Sequence, residues 1–277
     1  MEMATTSSSL LMSLSNPSTL RCRLNVPTKA AIQRYQQENN RENINNNMEE
    51  EEVELKLTVL VNLSNNAKDD VATIYCHATK LPPIPTPPIN IEIRGTPRPN
   101  ASVKDSSWVR QRTRLESLLK QAQNIQLSEL VLKDNEDKLY EGSKSNFYAI
   151  QQDGTVVTAQ DGVLHGTIRK LILEVCREHQ IPVRLEPPSL GDVATWQGAM
   201  LSSTSLLALP IHAVYMRPPQ AALEPEHAAS RHPQDLLKTF NYNNNHHQDG
   251  DNTLCLTKQI QQWVSEKMIE CSTPILY

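Results

Sequence analysis

The sequence predicts an α/β fold of mixed type, in which strands and helices alternate beyond residue 89. Three observations predict it. Ile168, Leu171, Ile172, Val175 and Cys176 recur at i, i+3, i+4, i+7 and i+8, which lays one continuous apolar stripe along a helix. Short runs such as Ile89, Ile91, Ile93 and Ile181, Val183, Leu185 alternate with the period of strands. Residues 81–88 hold five prolines in eight positions, which continue neither sheet nor helix and so divide the chain.

Before that divide, residues 1–52 carry no periodic apolar pattern and are expected to lack regular structure. No acidic residue occurs from Met3 to Gln37, whereas Ser, Thr, Arg and Lys are frequent. That is the composition of an organelle transit peptide, or equally of an unstructured terminus, so chloroplast and cytoplasm both stay open. The acidic run Glu49 to Glu52 reads as a solvated linker. Val53, Leu55, Leu57, Val59 and Val61 then alternate as a strand. Ala72 to Ala78 makes a second, with Asn62 to Asp70 as the turn of a hairpin. Residues 53–88 thus form a small β region with a Pro-rich connector.

Residues 89–277 form the larger unit. After the strand at Ile89, the spacing of Trp108, Val109, Leu115, Leu118 and Leu119 predicts a helix over 106–121. Leu127 to Leu132 and Asn146 to Ile150 are strand-like, and Asp153-Gly154 signals a hairpin before Thr155 to Thr158. The helix from Thr167 to His179 follows, then the strand at Ile181, a break at Pro187-Pro188, a short helix from Ser189 to Trp196 and the apolar segment Gly198 to Leu201. Residues 217–253, rich in Pro, His, Asn and Gln, read as a disordered insertion. Leu256, Ile260, Trp263, Val264 and Met268 close the chain as an amphipathic helix.

Composition narrows the function. A net charge of −4 without a basic stripe points away from nucleic acid. No apolar run approaches the roughly 20 residues that cross a bilayer. The five cysteines are odd in number and form no CxxC pair, and the adjacent His246 and His247 lack a ligand partner, so neither a disulfide framework nor a metal centre is indicated. Ser202 to Ser205 lacks the Gly-x-Ser-x-Gly elbow of a hydrolase.

Taken singly, the remaining candidates have ordinary readings. Gly166-Thr167-Ile168-Arg169 is a helix start whose free N–H groups suit either a phosphate or a simple cap. Ser202 to Ser205 is a hydroxyl-rich turn. Glu141 reads as a turn carboxylate and Lys104 as a surface lysine.

As an ordered series they resemble the class IV aminotransferases, the fold type IV pyridoxal-phosphate enzymes that include D-amino-acid and branched-chain aminotransferases and aminodeoxychorismate lyase. The resemblance runs from about Val53 to Ile211. It is carried by Lys104-Asp105-Ser106-Ser107-Trp108-Val109-Arg110 and Glu141-Gly142-Ser143-Lys144-Ser145-Asn146-Phe147, strings also found in plant members. It implies a large domain with a mixed, barrel-like sheet, preceded by a reduced N-terminal β region. It implies pyridoxal 5'-phosphate as cofactor, amino-acid and 2-oxo-acid substrates, and a dimer.

Carried over position by position, the resemblance makes Lys104 the Schiff-base lysine, at a strand end. Such a lysine must be partly desolvated to lose a proton near neutral pH. Glu141 would sit against the pyridine nitrogen and keep it protonated. Asn146 would brace that turn. Thr167 and Ile168 would offer backbone N–H groups to the phosphate, and Ser203 and Thr204 would close its cup. Many members read Gly-Ile-Thr-Arg where this chain reads Gly166-Thr167-Ile168-Arg169, so backbone contacts replace one hydroxyl. The family's phosphate-gripping arginine has no match at Arg21, Arg23 or Arg34. The resemblance thus implies a transaminase or a lyase of the same family; a homologue without catalysis that serves an interaction is the alternative.

Overall fold

The computed structural model describes residues 16–46, 53–66, 69–85, 89–120, 126–216, 235–241 and 255–272. The chain forms two compact units, Met1–Pro83 with Thr273–Tyr277, and Ile84–Ser272.

In the first unit, helix α1 spans Pro17–Asn46 with Pro27 inside it. The sequence predicts no regular structure there because α1 has no sustained apolar stripe; its described residues bury Ile32 and set Thr28 Oγ1 3.4 Å from Cys76 Sγ. Strands β1, Leu55–Asn66, and β2, Asp69–Lys80, pair antiparallel from Leu55 opposite Lys80 to Asn66 opposite Asp69. The expected turn over residues 62–70 is therefore mostly ladder. A polar run can extend a hairpin whose faces do not both require burial.

The second unit contains β3, Ile89–Ile93; α2, Ser107–Lys120; β4, Glu129–Lys133; β5, Leu139–Gly142; β6, Asn146–Ile150; β7, Val156–Val157; and α3, Thr167–Glu178. It continues with β8, Val183–Arg184; a 3₁₀ helix, Leu190–Thr195; β9, Gly198–Ser203; β10, Leu207–Tyr215; β11, Leu236–Thr239; and α4, Leu256–Glu270. Six strands close on themselves in the order β10, β3, β4, β5, β6, β9 and back to β10. The first two pairings are parallel and the other four antiparallel, so the ring is the mixed barrel-like sheet that the resemblance implies. Closure leaves these six strands no free edge.

Alternation along β6 divides the core. Phe147 lies opposite Leu201 and Tyr148 opposite Met200, and successive side chains point to opposite faces. On one face Ile91, Val131, Phe147, Leu201 and Leu209 pack together, and the Trp196 ring lies 5.9 Å from that of Phe147. On the other, Tyr148, Ile150 and Met200 meet Ile168, Ile172 and Val175 of α3 and Ile260 and Val264 of α4. The apolar stripe read from the sequence is thus the face that α3 buries.

Two further expectations need correction. Residues 235–241, inside the stretch expected to be a disordered insertion, carry β11, which pairs antiparallel with β10; Asp235 and Phe240 are buried. The surrounding Asn- and His-rich composition conceals these apolar positions. The rest of 217–253, with His246 and His247, lies outside the described residues. Lys104 is not at a strand end, because β3 stops at Ile93 and Pro97 and Pro99 intervene. No helix among the described residues is long and apolar enough to cross a membrane.

Candidate functional site

The barrel's register assembles the site. Glu141 of β5 pairs with Asn146 of β6, and Asn146 pairs with Ser202 of β9, so the three stand side by side at one end of three adjacent strands. Tyr148 Oη lies 2.8 Å from Ser202 Oγ, and both side chains are buried. Beyond Ser202 the chain turns back at 204–206 into β10, with Ser203 half-buried and Thr204 exposed at the turn.

Glu141 and Asn146 both grip the segment that leads into α3. The Leu164 N–H donates to Glu141 Oε2 at 2.9 Å, and Asn146 Nδ2 donates to the Leu164 carbonyl at 2.7 Å. Gly166 makes the approach feasible: a Cβ there would stand 2.7 Å from Asn146 Oδ1. Gly166 is also the N-cap of α3 and offers no side-chain hydrogen bond. The first-turn N–H groups, those of Thr167 and Ile168 among them, have no intrahelical acceptor. Thr167 is exposed and Ile168 is buried. The amides at this helix end are therefore available to an anion beside Asn146.

Sequence reasoning missed the partner of Glu141. Arg98 Nε donates to Glu141 Oε1 at 2.6 Å, with side-chain exposures of 6% and 4%. The same guanidinium donates to the carbonyls of Ala101, at 2.5 Å, and Val103, at 3.1 Å. Arg98 lies in Pro97-Arg98-Pro99, which reads as an irregular connector, and no periodic signal marks it. Burial pushes the Glu141 carboxyl above its usual range, while the hydrogen bonds from Arg98 and Leu164 and the charges of Arg98 and Lys104 pull it down.

Lys104 stands in the segment between the Asn100 turn and α2, exposed, and near enough for its charge to act on Glu141. Its neighbour Asp105 starts α2, accepting from the Ser107 N–H and hydroxyl at 2.8 Å each. These bonds hold the Asp105 carboxyl below the usual carboxylate range. Trp108 Nε1 donates to the Ser143 carbonyl at 2.7 Å, which ties α2 to the turn after Glu141. The two strings that carry the resemblance are thereby in direct contact. An open cavity of about 350 Å³ lies along α3, lined by His165, Arg169, Lys170, Glu174 and Arg177, and includes neither Lys104 nor Glu141.

The donor set suits pyridoxal phosphate: an amine, a buried carboxylate held by a cation, uncapped helix amides beside a side-chain cradle that a Cβ would fill, and a hydroxyl-bearing turn. Among the described residues no group of His, Cys, Asp and Glu is placed to hold a metal ion.

Comparison with known proteins bears on this arrangement. Residues 18–214 match the family model for amino-transferase class IV, so the match starts well before Val53 and takes in α1 and the hairpin. No curated protein matches. Among solved structures, the chain resembles a hypothetical aminotransferase from Mycobacterium tuberculosis, in its apo form, with a TM-score of 0.60 at 17% identity, covering 96% of this chain and 82% of that one. It also resembles the branched-chain aminotransferase of Thermoproteus uzoniensis solved with norvaline, with a TM-score of 0.54 at 13% identity, covering 80% of this chain and 69% of that one. For the PLP-bound form of the mycobacterial protein the TM-score is 0.52 at 15% identity, covering 78% of this chain and 69% of that one. At these identities the likeness is one of fold.

Proposed function

Because the chain belongs to the class IV aminotransferase family, we propose that it is a pyridoxal-phosphate-dependent transaminase that moves an amino group between an amino acid and a 2-oxo acid. The observation that carries this reading is the convergence of Glu141, Asn146 and the start of α3 on one end of the barrel, with the charge of Lys104 acting on Glu141. Pyridoxal phosphate, when bound, supplies the electron sink that stabilises negative charge at the amino-acid α-carbon.

The remaining steps belong to this chain's residues. Lys104 Nζ would hold the cofactor, and its amine would be the group that takes the substrate α-proton and gives it back. Glu141, hydrogen-bonded to Arg98 through one oxygen and to the Leu164 N–H through the other, would face the pyridine nitrogen and favour its protonated form. Asn146 holds the segment before α3 in place, where the amides of Thr167 and Ile168 would bind the phosphate. Ser203 and Thr204 would supply hydroxyls from the β9–β10 turn.

The test is absorbance of purified protein with added pyridoxal phosphate, beside Lys104→Ala. The reading expects a visible band in the wild type that the variant lacks and that bleaches when an amino acid is added. A wild-type protein without the band, or a variant that keeps it, contradicts the assignment of Lys104. A band that no amino acid bleaches favours the non-catalytic alternative.

A further inference from the structure

We propose that Arg98 is a positioning residue that holds Glu141 as a carboxylate and, through the same guanidinium, places the backbone that carries Lys104. The inference rests on the transaminase reading and adds a residue to its site.

Three observations carry it. First, the contact is buried and charged: Arg98 Nε lies 2.6 Å from Glu141 Oε1, with both side chains almost wholly out of solvent. Such a pair fixes the ionisation of the carboxylate far more firmly than an exposed one. Second, the other two nitrogens of the fork bind the carbonyls of Ala101 and Val103. Val103 immediately precedes Lys104, and its own N–H donates to the Asn100 carbonyl at 3.0 Å, closing a turn in which Asn100 has φ of 53°. Arg98 thus fills that turn from within and sets the peptide from which the lysine projects. Third, the guanidinium lies over the Trp108 ring, with Cζ 6.0 Å from its centroid, and Trp108 is bonded to Ser143, two residues after Glu141.

One planar group therefore joins the segment bearing the amine to the strand bearing the carboxylate. A lysine in its place would supply the charge but not three bonds in one plane. The arrangement links two properties that are separable in principle, the charge opposite the pyridine nitrogen and the position of the amine. Losing Arg98 should change both together.

The experiment compares wild type, Arg98→Met, Arg98→Lys and the double variant Arg98→Met/Glu141→Gln. In cofactor-free protein at neutral pH, infrared difference spectra should show a protonated carboxyl in Arg98→Met that is absent from wild type, Arg98→Lys and the double variant. With pyridoxal phosphate added, Arg98→Met should bind about ten- to a hundredfold more weakly, the effect expected from loss of a hydrogen-bonded charged partner. Arg98→Lys should restore the carboxylate but not the affinity. An Arg98→Met protein with no carboxyl signal and wild-type affinity overturns the proposal. If Arg98→Met does not fold, Arg98→Lys decides: wild-type affinity refutes the role of the fork, and weakened affinity with an ionised Glu141 supports it. A wild-type protein that forms no visible band refutes the transaminase reading instead, while the infrared signal still tests whether Arg98 sets the charge of Glu141.

Discussion

Glu141 and Lys104 are carried by the same family resemblance, yet the structure holds them in opposite ways. The carboxylate is buried, both its oxygens are engaged, and the strand beneath it is locked into a closed barrel. The amine stands exposed on a short segment between a turn and a helix, and its backbone is placed through Arg98. A carboxylate that stabilises another charge gains from rigidity and a dry setting, whereas the exposed Lys104 lacks the partial desolvation expected of a Schiff-base lysine. Glu129 sharpens the contrast. It too is buried, and its Oε1 accepts from the Lys144 N–H at 2.8 Å, but Oε2 has no hydrogen-bond partner among the described residues.

The largest expected effect is that of Glu141→Ala, which leaves the Arg98 guanidinium buried without its carboxylate. We expect a loss of about 3–5 kcal/mol in unfolding free energy by urea titration. A loss under about 1 kcal/mol would break the claim that this pair anchors the site. Next is Gly166→Ala, whose Cβ must displace Asn146 from 2.7 Å. A cost of about 1–3 kcal/mol is expected, together with weaker binding of pyridoxal phosphate measured by fluorescence. Tyr148→Phe strands the buried Ser202 hydroxyl beneath the site and should cost about 1–2 kcal/mol. The same urea titration reads it.

Glu129 supplies a test through pH. Burial raises its pKa, opposed by the Lys144 charge and N–H and by Ser145 and Ser143. A carboxyl raised on folding contributes stability that is complete below its unfolded pKa and is lost as pH rises through the folded value. Between about pH 4 and pH 7, wild type should therefore lose stability relative to Glu129→Gln, and parallel profiles would contradict the burial argument. Smallest is Lys104→Ala, which should leave the unfolding free energy from urea titration within about 0.5 kcal/mol of wild type because the side chain is exposed. A clear loss would show that the lysine is structural and would erase the contrast with Glu141.

Much of this was legible in the sequence where periodicity and burial coincide. The stripe on α3 is visible because it fills one buried face, and Asn146–Ile150 is visible as a short apolar run bounded by turn residues. Strand β10 was not, since Pro210 interrupts an apolar run whose buried residues point both ways, and alternation disappears when both faces are covered. Helix α1 has no stripe to read. In the site, the family strings mark Glu141, Asn146 and Lys104, and the register brings the first two together. Arg98 was hidden because its role is tertiary: nothing in Pro-Arg-Pro shows that the turn folds back over a carboxylate 43 residues away.

The most direct test of the central claim is chemical trapping. Protein loaded with pyridoxal phosphate is reduced with borohydride and its peptides are mapped by mass. The account predicts a single pyridoxyl label on Lys104, absent from Lys104→Ala. Label on another lysine, or spread over several, would contradict it.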